Sequence, residues 1–430
     1  MANFMKNLEL LAPAGNTLKM KTAFAYGADA VYLGIPDFSL RVRINDFDLK
    51  GIKEAVLYAH KRGRKVYVTA NIFAHNIHLK SFVVYLKKLK TVGIDAVIVS
   101  DPGILSLVKN NWPKAEIHLS TQANCTNLEA AKFWLKQGVT RIVLGREVTL
   151  KEIKEIHRVL PKLELEYFIH GAMCMAYSGR CFLSKLFINR SGNLGDCAQP
   201  CRWQYDVTRY TLKAKGHEEE LELVEEQHGA YLLNSQDLCL IKNLADLIKA
   251  GVSSFKIEGR AKSVYYQATV CGAYRRALDL IAKKTPAVKL NKELDFLYKE
   301  LETKLVHRGY TTGFLLEEKA GQNIVDSHNK SNWEFCGQAI KNEILANNKI
   351  RLIFQVHNTI KLDDELEIIG LNYDIISLKL KKLFNASTGE EISEAHGGGG
   401  GQKCFVELDG KLKLPEFAVL RRKLIDSISA

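Results

Sequence analysis

The stretch LELLAPAGNTLKMKTAFAYGADAVYLG, residues 8–34, decides the fold. It opens on the short apolar run LELLAP, passes through a helical window closed by Gly27, and ends on a second run, AVYLG. Strand, helix and strand within so short a span is the repeating unit of a parallel sheet. The rhythm continues outward. KVYVTANIF (65–73), AVIVS (96–100), EIHLSTQ (116–122), RIVLGRE (141–147), LEYFIHG (165–171) and SSFKIEGR (253–260) read as further strands. DLKGIKEAVLYAHKRG, NLEAAKFWLKQG and TLKEIKEI read as helices between them, and Gly27, Gly63 and Gly138 stand where glycine commonly satisfies a helix's last carbonyls. Eight strands with intervening helices predict an α/β fold, a (β/α)8 TIM-like barrel. A doubly wound open sheet is the alternative, because strand count alone does not close a sheet.

The barrel is expected over residues 1–284, closed by the helix SVYYQATVCGAYRRALDLIAKK. Residues 172–240 break the rhythm and read as a Cys-rich insertion. Its later part, CRWQYDVTRYTLKAKG, ELELVEEQHG and AYLLNSQD, suggests an antiparallel meander. A polar helical connector over 285–330 leads to a C-terminal unit, 331–430. There WEFCGQAIK, KIRLIFQV, DELEIIG and KCFVEL read as short strands of a small β-barrel. His396 and the glycines 397–401 read as a hairpin loop, since a glycine run without a following helix is a weak phosphate cradle.

A chain of 430 residues can bury a large core, and no apolar run reaches membrane-spanning length. The start, MANFMKNLELLAPAG, lacks the pattern of a secretory signal, so a cytoplasmic protein is expected. The net charge of +13 favours an anionic partner such as RNA, with solubility as the plainer reading. From Ser331 onward 13 basic residues meet 14 acidic ones, which leaves about +14 on the first 330. A polyanion would meet the barrel rather than the C-terminal unit.

Cys174, Cys181, Cys197, Cys201 and Cys239 gather more than half of the nine cysteines into the insertion. A reducing compartment disfavours disulfides and shifts weight to a metal site. The spacing is not the paired CxxC of a zinc ribbon, whereas cluster ligation tolerates scattered thiolates. Iron–sulfur ligation leads, followed by zinc and by packing thiols. The insertion starts directly after His170 and Gly171, at the end of the seventh strand, and in such barrels function sits at the strands' C-terminal ends. Those ends carry Asn71, Ser100, Gln122, Arg146, Glu147, His170, Lys256, Glu258 and Arg260, with Arg41 and Arg43 after the second strand. Arg146, Glu147, His170, Lys256, Glu258 and Arg260 are the candidates for contact with a reacting group, structural pairing of Glu258 with Arg260 being the alternative. Around the cysteines, Arg180, Lys185, Arg202 and Arg209 could hold phosphates, and Tyr177, Trp203 or Tyr205 could stack on a base. A peptidase should show an activated nucleophile or a metal-bound water. HEEEL at His217 lacks the second histidine of a zincin, and Ser178 in AYSGR lacks the glycine of a nucleophile elbow. A pair such as His170 with Glu147 stays open.

At ELEYFIHGAMCMAYSGRCFLS, residues Glu166, Gly171, Cys174, Gly179, Cys181 and Ser184 resemble the signature of the collagenase-like peptidase family U32. The likeness extends to ELLAPAGN, GADAVYLG, LSTQAN, GDCAQPCRW, NSQDLC and FKIEGR, and RGYTTGF with the terminal unit resembles the subgroup of bacterial tRNA hydroxylation proteins. The resemblance implies hydroxylation rather than proteolysis: 5-hydroxyuridine at the wobble position of the tRNA anticodon loop. The alternatives are a collagenase-like peptidase and a hydroxylation partner in quinone biosynthesis. A non-catalytic RNA-binding scaffold would keep the basic barrel without needing the thiolates. The resemblance also implies a 4Fe–4S cluster on Cys174, Cys181, Cys197 and Cys239, with Cys201 competing with Cys197. It further implies a prephenate-derived co-substrate and an iron–sulfur or redox delivery protein as partner.

Overall fold

The computed structural model describes residues 8–35, 37–40, 46–174, 176, 181, 183–203, 234–316, 321–323, 328–329, 331–345 and 348–424. Arg41, Arg43, Tyr177, Ser178, Arg180, Tyr205, Arg209, His217 and the expected meander over 204–233 lie outside them.

Eight parallel strands close into a barrel. They are β1 (Glu9–Pro13), β2 (Ala30–Gly34), β3 (Lys65–Ala70), β4 (Ala96–Val99), β5 (Ile117–Leu119), β6 (Arg141–Val143), β7 (Glu164–Ala172) and, after the short β8 (Asp237–Cys239), β9 (Val252–Ile257). Neighbours pair in chain order from β1 to β7, β7 then pairs with β9, and β9 returns to β1 with Leu10 opposite Phe255. Closure excludes the open-sheet alternative. β8 adds antiparallel to the end of β7, His170 opposite Cys239, and β10 (Tyr310–Thr311) extends that edge beyond the barrel.

The helices start where short polar side chains meet free backbone donors. Asn16, Asp48, Asp101, Asn127, Thr149 and Ser263 each accept from a backbone N–H of the first turn. Helix α1 (Thr17–Ala25), α2 (Leu49–His60), α3 (Asn76–Val92), α4 (Pro102–Asn111), α5 (Leu128–Lys136) and α6 (Leu150–Val159) ring the barrel. α7 (Leu183–Ile188) lies in the insertion, and α8 (Leu244–Lys249) precedes β9. α9 (Val264–Ala282) is buried nearly all round, because it is covered on several sides at once. α10 (Ala287–Lys304) puts Leu294, Leu297 and Leu301 into the barrel's own core.

The C-terminal unit, between Trp333 and Lys423, is a curled antiparallel sheet of eight strands with its own apolar core. It is bound to the barrel by buried polar contacts. The Tyr26 hydroxyl donates to the Ile369 carbonyl at 2.8 Å and accepts from the Val419 amide at 3.1 Å. The wholly buried Arg421 reaches Glu300 at 2.5 Å and Glu367 at 2.7 Å. Among the described residues no helix is long and apolar enough to cross a membrane.

Candidate functional site

A cavity of about 490 Å³ opens at the C-terminal mouth of the barrel. Its floor is ionic. Lys256 Nζ lies 2.6 Å from Glu166 Oε1 and 4.4 Å above the Tyr32 ring centre. Glu166, fully buried, also accepts from Arg141 at 3.2 Å and from the Ser254 hydroxyl at 3.0 Å. Arg141 in turn reaches Glu9 at 2.5 Å. Two cations and two carboxylates thus balance inside the barrel, and unpaired they would be very costly to bury. Burial pushes the Lys256 pKa below its ordinary value, although Glu166 pulls it up.

Two unlike walls rise from this floor. One is neutral and polar: Thr69, Asn71, Ser120, Thr121 and Gln122, from the ends of β3 and β5. The other carries Arg146, Phe168, Glu258 and Arg260, with the Arg146 guanidinium 4.0 Å from the Phe168 ring centre. The roof is the insertion. Cys174, Cys181, Cys197 and Cys201 all line the cavity, together with Arg202.

Local structure explains how the roof holds its thiols. The Ser184 hydroxyl accepts from the Ala198 amide at 2.8 Å and lies 3.8 Å from Cys197 Sγ. The Gln199 amide donates to the same sulfur at 3.3 Å. The Cys181 amide donates to Asn193 at 3.3 Å, so Gly192 and Asn193 sit between the two cysteines. Burial raises the Cys201 thiol above its ordinary pKa, and the neighbouring Arg202 charge opposes that shift. Arg202 is itself pushed down by burial and by Arg308. Asp237, which burial alone would raise, is held below the usual carboxylate range by Arg308, whose Nε donates to it at 3.2 Å.

The expected residues divide. Arg146, Lys256, Glu258 and Arg260 line the cavity, as do Asn71 and Gln122. Glu147, Ser100 and His170 do not. The His170 ring is buried among Tyr266, Tyr274 and Tyr310, 5.4–5.8 Å between centres, and burial drops its pKa to about 3. A register shift between Phe168 and His170 accounts for this: Phe168 faces the cavity and His170 turns behind it. Cys239 is also behind the wall. β8 runs antiparallel on β7, which sets the Cys239 sulfur 3.7 Å from the Tyr274 hydroxyl, where burial lifts its pKa to about 11. The thiol set brought to one cavity therefore differs from the expected one by Cys201 in place of Cys239. Lys185 is exposed and bonds Asn189 at 2.5 Å, and the Trp203 indole donates to the Ala198 carbonyl at 3.3 Å; neither lines the cavity. Sequence reasoning assigned no role to Glu166, Tyr32 or the Arg308–Asp237 pair. The signals for Glu166 were its place in the family signature and a glutamate at an inward position of a mostly apolar strand.

The donor types are those an iron–sulfur group takes: four thiols in the roof, one of them already accepting a backbone N–H and another beside a guanidinium. Among the described residues no three His, Cys, Asp or Glu side chains are gathered within metal-binding reach.

Residues 15–324 match the family model described as Peptidase family U32. The chain is 43% identical to the tRNA hydroxylation protein P of Escherichia coli K12 over 71% of its own length and 74% of that protein. It is 36% identical to the protein of the same name from Haemophilus influenzae, over 97% of both chains. It is likewise 36% identical to tRNA hydroxylation protein P1 of Bacillus subtilis 168, over 91% of this chain and 90% of that one. With a barrel mouth roofed by the cysteine segment and a match over most of its length, the chain belongs to peptidase family U32.

Proposed function

We propose that this chain is an iron–sulfur-dependent tRNA hydroxylase that forms 5-hydroxyuridine at the wobble position. The observation that carries the reading is the convergence of four thiols on a single base-sized cavity, in a chain whose relatives over almost its whole length are tRNA hydroxylation proteins. The cavity volume lies within the roughly 300–1,000 Å³ of small-ligand sites, and an anticodon loop offers unpaired bases that can be turned into it. Cys174, Cys181, Cys197 and Cys201 would hold the 4Fe–4S cluster, which supplies one-electron chemistry when bound.

Converting C5–H to C5–OH adds one oxygen atom and removes two electrons, so a co-substrate must supply the oxygen and an acceptor must take the electrons. A prephenate-derived compound is the proposed co-substrate, and an iron–sulfur or redox delivery protein the proposed partner. The chain's own residues bind and orient. Lys256, fixed by Glu166, offers N–H donors at the floor to a pyrimidine carbonyl, and Glu258 can accept the proton leaving C5. Arg146 and Arg260 place positive charge beside an anionic group, and Arg202 does so at the roof. Proteolysis is the weaker reading: no histidine stands among the described lining residues to activate a thiol.

The test is a nucleoside profile. Deleting the gene should remove 5-hydroxyuridine and its derivatives from hydrolysed tRNA, and the wild-type gene should restore them. An unchanged profile defeats the reading. Protein purified without oxygen should be brown, with about four irons per chain; a colourless protein carrying zinc removes the cluster.

A further inference from the structure

Most polar groups on the neutral wall are already matched. Asn71 accepts from the Leu40 amide at 3.2 Å and donates to the Ser120 hydroxyl at 3.1 Å. That hydroxyl accepts from the Gln122 amide at 3.3 Å, and Thr121 donates to the Leu144 carbonyl at 3.3 Å. These bonds fix a one-turn 3-10 helix, Thr121–Ala123, at the end of β5. Gln122 lines the cavity from this turn. Its carbonyl Oε1 is buried, and among the described residues no group donates to it. Folded proteins rarely leave a buried acceptor unmatched, and at a cavity wall the missing donor is naturally the ligand's.

We infer that Gln122 reads the edge of the bound base, Oε1 accepting from the ring N3–H and Nε2 donating to an adjacent ring carbonyl. A carboxamide carries an acceptor and a donor side by side, which matches the N3–H and carbonyl of uracil in one planar contact. The backbone below is pinned, so the amide is held before a base arrives. The inference rests on the proposed function and names within it the residue that recognises a pyrimidine bearing N3–H.

The test uses full-length protein and two anticodon stem-loop RNAs, one with uridine at the target position and one with 3-methyluridine, which lacks the N3–H. Wild type should bind the uridine RNA roughly 10- to 100-fold more tightly, the discrimination of one paired base-edge contact. Gln122→Met keeps the side-chain length and removes both polar atoms. It should weaken uridine binding by a similar factor and bind the two RNAs equally, with an unchanged melting temperature. Gln122→Ala provides the same comparison should the methionine variant misfold. A variant that still separates the two RNAs as wild type does overturns the inference, as does wild-type indifference to the methyl group. If deletion leaves the tRNA nucleosides unchanged, the proposed function fails instead, and this base-reading role falls with it.

Discussion

At the scale of single residues, the site is decided by which side of a strand end faces the mouth. Cys201 lines the cavity and Cys239 does not, so their variants should part company. Cys201→Ala, like Cys181→Ala and Cys197→Ala, should lose iron, colour and tRNA modification together. Cys239→Ala should keep the cluster and cost about 1–3 kcal/mol of stability, the usual range for a small buried change. Iron analysis and denaturant unfolding separate the two outcomes, and an iron-free Cys239→Ala with a loaded Cys201→Ala would restore the expected set. His170 has a second consequence. Its folded pKa of about 3 lies below the unfolded value of about 6.5. The unfolded chain therefore takes the proton first. The stabilisation is complete above about pH 6.5 and is lost as pH falls towards 3. His118, also driven down by burial, adds to the same slope. His170→Phe should flatten the pH dependence of unfolding free energy across that window, and an unaltered slope would show that the ring is not buried neutral.

At the scale of elements, the end of β7 shapes the mouth. Gly171 has a φ of +107°, and a Cβ there would come 2.7 Å from the Glu258 carbonyl oxygen. Only glycine lets β7 pass so near the residue that carries a cavity carboxylate. Gly171→Ala should cost about 1–3 kcal/mol in backbone strain alone, and should lower tRNA modification by displacing Glu258. Normal stability by thermal melting would contradict the close approach. The floor depends on four strands together. Glu166→Leu would leave Lys256 unpaired and Arg141 with less of its negative charge, and should destabilise by about 3–5 kcal/mol, measurable by denaturant titration.

At the scale of the whole molecule, the terminal sheet and the barrel share buried charges. Arg421 holds Glu300 of α10 and Glu367 of the sheet at once, and Lys304 meets Glu367 at 2.8 Å. Arg421→Ala should cost about 3–5 kcal/mol and split a single unfolding transition into two by calorimetry. One unsplit transition at the wild-type temperature would show that the two units are not coupled through this residue. The surplus positive charge of about +14 belongs to the first 330 residues, the part of the chain that holds the barrel.

Local composition by itself determined the βα repeat, the eight strands and the cysteine cluster, because periodicity and turn chemistry act over neighbouring residues. It placed Arg146, Lys256, Glu258 and Arg260 at strand ends, and these do line the cavity. His170 and Glu147 do not line it, and for His170 the cause is a register shift after Phe168 that depends on pairing with distant β9. Closure of the sheet, the pairing of β8 that carries Cys239 away from the mouth, and the burial of Glu166 against Lys256 were settled only by tertiary structure. Each joins residues about 70 to 245 positions apart, and such contacts are selected by packing and charge balance across the whole core rather than by any short run of sequence.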